Sequence, residues 1–280
     1  MDPLVSTDWL ATELGAEDLR ILDATAFLPG AGRDARAEYE AGHIPGAVFF
    51  DHEAVSDPGN PYPHGWPPAP LFASRMRALG IGDHDRIVIY DNSPIHTSAR
   101  AWYLLRSFGA RHVAILDGGL QQWLREGRSL ESEAPALRPG HFTPHPLAGA
   151  VVDKAAMLGR LSRDDHVLAD ARAAERFQGA AAEPRPGLAP GHIPGARCLP
   201  QGTFFNDDDT WKKGEVLRAL FDAAGVDLAK PLVTSCGSGV TACVILFAAH
   251  LLGKTDLSLY DGSWSEWGAD PATPKARGPA

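Results

Sequence analysis

Short apolar runs alternate with longer stretches of helical spacing along most of the chain. Ile87-Val-Ile-Tyr90 and Leu232-Val-Thr-Ser235 are continuous, rich in β-branched residues and too short for a helix, the pattern of strands buried on both faces. RILD, ending at Asp23, and VLAD, ending at Asp170, are of the same kind. SARAWYLLRSF (98–108) and TACVILFAAHLL (241–252) carry apolar residues at helical spacing. Each is followed by a glycine, Gly109 or Gly253, the residue that takes positive φ beyond a helix end without strain. This alternation predicts an α/β protein of parallel sheets with helices on both faces.

The pattern also repeats. GHIPGA occurs at Gly42–Ala47 and Gly191–Ala196, an offset of 149 residues. Each copy closes with an apolar run, an Asp-Gly turn and a tryptophan: ILDGGLQQW to Trp123 and SLYDGSWSEW to Trp267, at an offset of 144. The first copy therefore holds about five extra residues between these landmarks, and the Pro-rich stretch Asn60–Pro70 is one place for them. Each copy is about 120–130 residues long, enough for a domain with its own core. Residues 131–149, rich in Pro, His and Ala and without a period, read as a linker, ordered or not. The expected organisation is a first domain at 1–130, the linker, and a second domain at 150–280.

Composition narrows the function. With 44% hydrophobic and 22% charged residues the chain is of globular type. Its 26 Lys and Arg against 35 Asp and Glu leave a charge of −9, against a general binder of nucleic acid or anionic membranes. The cysteines at 198, 236 and 243 show no metal-ligand spacing and cannot all pair, so neither a zinc site nor a disulfide scaffold is expected. The beginning lacks a basic, apolar leader and no apolar stretch approaches about 18 residues, so a soluble, cytoplasmic protein of a reducing compartment is expected.

The segment Leu232-Val-Thr-Ser-Cys-Gly-Ser-Gly-Val-Thr241 runs from a strand through a glycine-bearing loop into a helix. Such a loop turns successive backbone N–H groups toward one point, and the helix start adds its own unpaired donors. A sulfur at the mouth of that cradle is expected as a thiolate, the nucleophilic form. Cys198 and Cys243 lack this context and read as small buried hydrophobes. A gapless match puts Asn92 opposite Cys236, in a loop with no sulfur and with Pro94, so the first copy should be silent in this chemistry.

The doubled GHIPGA, one silent loop and one CGSGVTA loop resemble the two-domain rhodanese superfamily, and within it the bacterial 3-mercaptopyruvate sulfurtransferases. The resemblance runs from STDWL at Ser6 to SEWG at Gly268. It implies two tandem rhodanese-like domains, the second catalytic, and no cofactor. It also implies that Cys236 takes sulfur from 3-mercaptopyruvate, releases pyruvate, and hands a persulfide sulfur to a thiol such as that of thioredoxin, or to cyanide.

By the same resemblance Arg176 and Arg185 match positions that bind the substrate carboxylate and carbonyl; without it either reads as a surface arginine. Planar guanidinium forks suit an oxo-acid. The loop Gly237, Ser238, Gly239, Val240, Thr241 would stabilise the persulfide, and Thr241 would bond within the loop or cap the helix. Ser238 would face the sulfur or cap the helix, and it matches a family relay serine whose acid partner matches Glu53, otherwise a solvated loop acid. His64 matches an active-site histidine, though Gly65-Trp66 departs from the Met-Leu usual after it; otherwise it is a turn residue. Arg172 should pair with Asp170, and the repeated His43 and His192 should be structural.

Two other classes fit the sequence less well. A Cys-x5-Arg phosphatase needs an arginine where Ala242 stands. A non-catalytic binding module would have no use for Cys236 in this loop. Thiosulfate sulfurtransferase is the nearest alternative, and a dianionic donor would meet no cation between Gly237 and Ala242.

Overall fold

The computed structural model describes residues 1–279. The chain forms two compact units, one of Met1–Asp57, Pro67–Leu147 and Phe205–Trp211, the other of Pro58–Trp66, Ala148–Phe204 and the chain from Lys212 onward. Each unit thus includes a short stretch that chain order would group with the other.

The first unit runs β1 (Leu4–Val5), α1 (Thr7–Glu13), β2 (Leu19–Asp23), α2 (Ala35–Ala41), β3 (Ala47–Phe49), α3 (His52–Val55), α4 (Ala69–Ala78), β4 (Arg86–Tyr90), α5 (Ser98–Ser107), β5 (His112–Leu116) and α6 (Gly119–Arg125). The second repeats the scheme as β6 (Val151–Val152), α7 (Lys154–Arg160), β7 (Val167–Asp170), α8 (Ala174–Phe177), β8 (Arg197–Cys198), α9 (Gly214–Ala223), β9 (Leu232–Ser235), α10 (Ala242–Leu251), β10 (Leu257–Tyr260) and α11 (Ser263–Trp267). The sheets have one topology, β1-β5-β4-β2-β3 and β6-β10-β9-β7-β8, with every pairing parallel.

In the central strands Ile87 to Tyr90 and Leu232 to Ser235 every residue is at most 1% exposed, so both faces of each sheet are covered. That is why these runs show no alternation. α10, apolar from Ala242 to Ala249, lies wholly in the interior over that stretch and packs on β9 and β10. Gly109 and Gly253 end their helices at φ 102° and 86° as expected.

The GHIPGA histidines do the same job twice. His43 Nδ1 lies 2.8 Å from the Tyr39 carbonyl and its ring stacks on Tyr39; His192 Nδ1 lies 2.8 Å from the Phe177 carbonyl and its ring stacks on Phe177. Both are buried, as a structural role requires.

The Pro-rich stretch after Glu131 is ordered against the first unit without forming a helix or strand. Glu131 and His43 exchange backbone hydrogen bonds at 2.9 Å, Phe142 is buried, and the N–H groups of His145 and Leu147 donate to the Phe108 and Ser107 carbonyls.

Candidate active site

Ser235 ends β9 beside Asp170 of β7, so the next residue, Cys236, leaves the carboxyl edge of the second sheet at its middle strand. Ligands of open parallel sheets bind at this edge. The rear of the loop is tied to α11. Cys236 N–H donates to Ser263 Oγ at 3.1 Å, and the Cys236 carbonyl accepts from Trp264 N–H. The Gly237 carbonyl accepts from both the backbone and the hydroxyl of Ser265, at 2.9 and 2.7 Å. Among the described residues, the N–H groups of Gly237, Ser238, Val240 and Thr241 donate to no protein acceptor. Gly239, at φ 78°, supplies the left-handed step that curls the loop.

Cys236 is 1% exposed, more sheltered than a sulfur at an open mouth. The other thiols differ from it in setting. Burial first, then the Asp170 charge, pushes Cys198 up to about 11, and Cys243 lies inside α10 with Sγ 3.4 Å from the Gly239 carbonyl. All three are free cysteines.

The first unit shows what this loop geometry holds. Asp23 pairs with Tyr90 as Asp170 pairs with Ser235, and the Asp91 carbonyl accepts from Leu120 N–H as that of Cys236 does from Trp264. The residue in the cysteine position is therefore Asp91, not Asn92. The first loop is one residue longer between strand and helix, so an alignment anchored on α5 and α10 slips by one at the strand. The Asp91 carboxylate accepts the N–H of Ser93 at 2.9 Å and that of Ser98, the first residue of α5, at 2.7 Å. A carboxyl side chain thus already occupies the cradle of the first copy. Asn92 instead bonds Thr25, Glu38 and Gln121.

Both candidate substrate arginines meet the cysteine loop at Gly237. Arg176 rides on α8, anchored by Phe177, and a Cβ on Gly237 would stand 3.2 Å from Arg176 Nη2. Its Nη2 donates to Glu183 Oε2 at 2.6 Å, while its Nε is buried without a protein partner. Arg185 Nη1 donates at 3.2 Å to Ser265 Oγ, the hydroxyl that itself donates to the Gly237 carbonyl. Arg172 forms the expected pair with Asp170, and it also bonds Glu183 and the Gly191 carbonyl beneath the Trp264 ring. Trp264 and Trp267 are fully buried, with ring N–H groups on the Ala189 and Pro274 carbonyls.

Neither hydroxyl of the loop caps α10. Thr241 is the N-cap residue but sits in helical backbone geometry and makes no capping bond. The Ser238 hydroxyl has no protein partner among the described residues, which removes its capping alternative. His64, at φ 59°, lies in the stretch Pro58–Trp66 of the second unit. That stretch is docked by Trp66 N–H on Asp261 Oδ2 at 2.6 Å, just past β10 and so at the same sheet edge as the cysteine loop. Glu53 stands exposed in the first turn of α3, capped by Asp51, in the first unit. Glu183 and Ser265, which hold the arginines, had no sequence signal beyond their nearness to Arg185 and Trp264; burial of a loop carboxylate is decided by tertiary contacts.

Two copies of the rhodanese-like domain match, over residues 6–126 and 154–270, and the chain belongs to the rhodanese family. It is 42% identical to the 3-mercaptopyruvate sulfurtransferase of Escherichia coli K12 over 266 residues, 95% of this chain and 94% of that protein. It is 41% identical to the thiosulfate sulfurtransferase of Bos taurus over 271 residues, 94% and 91% of the two chains. The crystal structure of SseA from Escherichia coli, a 3-mercaptopyruvate sulfotransferase with the rhodanese fold, superposes with a TM-score of 0.86 at 40% identity, over 95% of this chain and all of that one.

Proposed function

We propose that the chain is a sulfurtransferase that moves sulfur from 3-mercaptopyruvate through a Cys236 persulfide to a thiol, of which thioredoxin is one, or to cyanide. The observation that carries the choice of donor is the gathering of Arg176 and Arg185 at Gly237, beside a loop with no cation of its own. Whole-chain likeness does not choose, since a thiosulfate enzyme is 41% identical and a mercaptopyruvate enzyme 42%. Thiosulfate spreads two charges and needs donors around the sulfur itself; an oxo-acid keeps its charge at the far end, where guanidiniums hold it.

In this reading Arg176 and Arg185 fix the carboxylate and carbonyl so that the donor sulfur lies in line with Cys236. The thiolate attacks that sulfur, the carbon–sulfur bond breaks, and its electron pair becomes the enolate of pyruvate. The proton that completes the methyl group is the one the donor thiol gives up, passed through Ser238, His64 and Glu53 or through water. The N–H groups of Gly237, Ser238, Gly239, Val240 and Thr241 then carry the persulfide charge. The first domain, 1–130, is silent; the second, 150–280, is catalytic; residues 131–149 join them. A cytoplasmic setting suits three unpaired thiols.

The test is Cys236→Ser, assayed for pyruvate release and for the mass gain of one sulfur after donor treatment. Loss of both is expected; wild-type turnover removes Cys236 from the scheme. A higher kcat/KM for thiosulfate than for 3-mercaptopyruvate overturns the donor assignment.

A further inference from the structure

The two guanidiniums that meet at Glu183 have unequal lives. Arg172 is 0% exposed and fully engaged by Asp170, Glu183 and the Gly191 carbonyl. Arg176 is 26% exposed, and its one side-chain hydrogen bond to protein runs from Nη2 to Glu183. The Glu183 carboxylate, 2% exposed, accepts Arg172 Nη1 on Oε1 at 2.8 Å and Arg176 Nη2 on Oε2 at 2.6 Å. One oxygen is therefore pinned to the rigid interior, and the other fixes the rotation of the working arginine.

We propose that Glu183 is the positioning residue of the oxo-acid site. It holds the Nη2 of Arg176 against the protein and thereby leaves the Nη1 end of the guanidinium, which bonds no protein group, for the substrate carboxylate. Gly237 is part of the same device, because the guanidinium closes to 3.2 Å on the place of its missing Cβ. Arg172 acts through Glu183 and never touches substrate. The proposal rests on Arg176 binding the oxo-acid, as inferred above. An arginine that holds a non-reacting carboxylate equally in ground and transition states lowers KM and leaves kcat alone. Loosening its anchor should do the reverse.

The experiment is a cycle with Glu183→Gln and Arg176→Ala, singly and together, measuring kcat and KM for 3-mercaptopyruvate by pyruvate release, with melting temperatures alongside. Glu183→Gln should raise KM about tenfold, the loss of roughly one charge-assisted hydrogen bond, with kcat within about twofold. On the Arg176→Ala background it should add nothing to KM. Glu183→Asp, which keeps the charge on a shorter stem, should recover part of the affinity. If Glu183→Gln melts below the assay temperature, Glu183→Asp on both backgrounds carries the same comparison. Arg176→Ala raising KM while the Glu183 variants leave it unchanged, or the same Glu183 effect on both backgrounds, overturns the positioning role alone. An unchanged KM for Arg176→Ala overturns the substrate-site reading beneath it.

Discussion

Arg172→Ala tests how the second unit holds its charges. The Arg172 guanidinium makes three contacts with the Asp170 oxygens at 2.7–3.1 Å, one with Glu183 and one with the Gly191 carbonyl, and its carbon lies 4.4 Å from the Trp264 ring centre. Removing it strands a carboxylate at Asp170 that is 2% exposed and leaves Glu183 with Arg176 alone. Breaking a buried pair from one side costs about 3–5 kcal/mol, a large share of the 5–15 kcal/mol that a domain has. At a urea slope of about 2 kcal/mol/M the midpoint should fall by roughly 1.5–2.5 M. Hydrogen exchange at β7 and β9 amides would place the loss in the second unit. The double change Arg172→Met with Asp170→Asn leaves no stranded charge, so it should cost about 1–2 kcal/mol less than Arg172→Ala. A loss below about 1 kcal/mol for Arg172→Ala, or a double variant as unstable as the sum of its parts, refutes the stranded-charge reasoning.

Two further outcomes are expected. Gly237→Ala should press a methyl against Arg176 Nη2, which Glu183 prevents from swinging away; a severalfold rise in KM for 3-mercaptopyruvate with an unchanged melting temperature is expected, and wild-type kinetics would deny the close approach. His52 donates from Nε2 to the Ala24 carbonyl at 2.9 Å, and burial, joined by the Arg100 charge against that bond, pushes it from 6.5 down to about 4. Unfolding therefore takes up a proton between those values, so stability falls as pH drops from 6.5 toward 4, by up to about 3 kcal/mol. Urea midpoints against pH should fall less steeply for His52→Gln than for wild type; parallel curves would contradict it.

Much of the fold was legible because the duplicated pattern repeats the chemistry of each element: GHIPGA marks the same histidine lock twice, and Gly109 and Gly253 end equivalent helices. The loop that carries Cys236 was legible for a different reason, its glycines between a strand and a helix, and the chain does turn there from β9 into α10 with Gly239 at positive φ. The partner of Cys236 in the first copy was not legible. The one-residue difference between Tyr90–Ser98 and Ser235–Ala242 leaves no mark in a one-dimensional match, and only the strand registers place Asp91 there. Glu183 and Ser265 were hidden for another reason. An acid and a serine beside surface-type neighbours gain their partners only in the folded chain, where Arg172 and Arg176 meet Glu183 and the Gly237 carbonyl meets Ser265. Of the alternatives for Ser238 and Thr241, capping is the one the structure removes, because the backbone at the helix start is already helical at Thr241 and no side chain caps α10.

Asp91 carries a lesson about how twin halves part company. Its carboxylate is a built-in tenant that takes the N–H groups of Ser93 and Ser98, so the first loop is closed on itself. In the second half the place belongs to Cys236, and the N–H groups of Gly237, Ser238, Val240 and Thr241 have no protein acceptor among the described residues, the berth that the proposed persulfide would fill. One small turn of amides is thus a lock in the first half and, under the proposed reaction, a berth in the second.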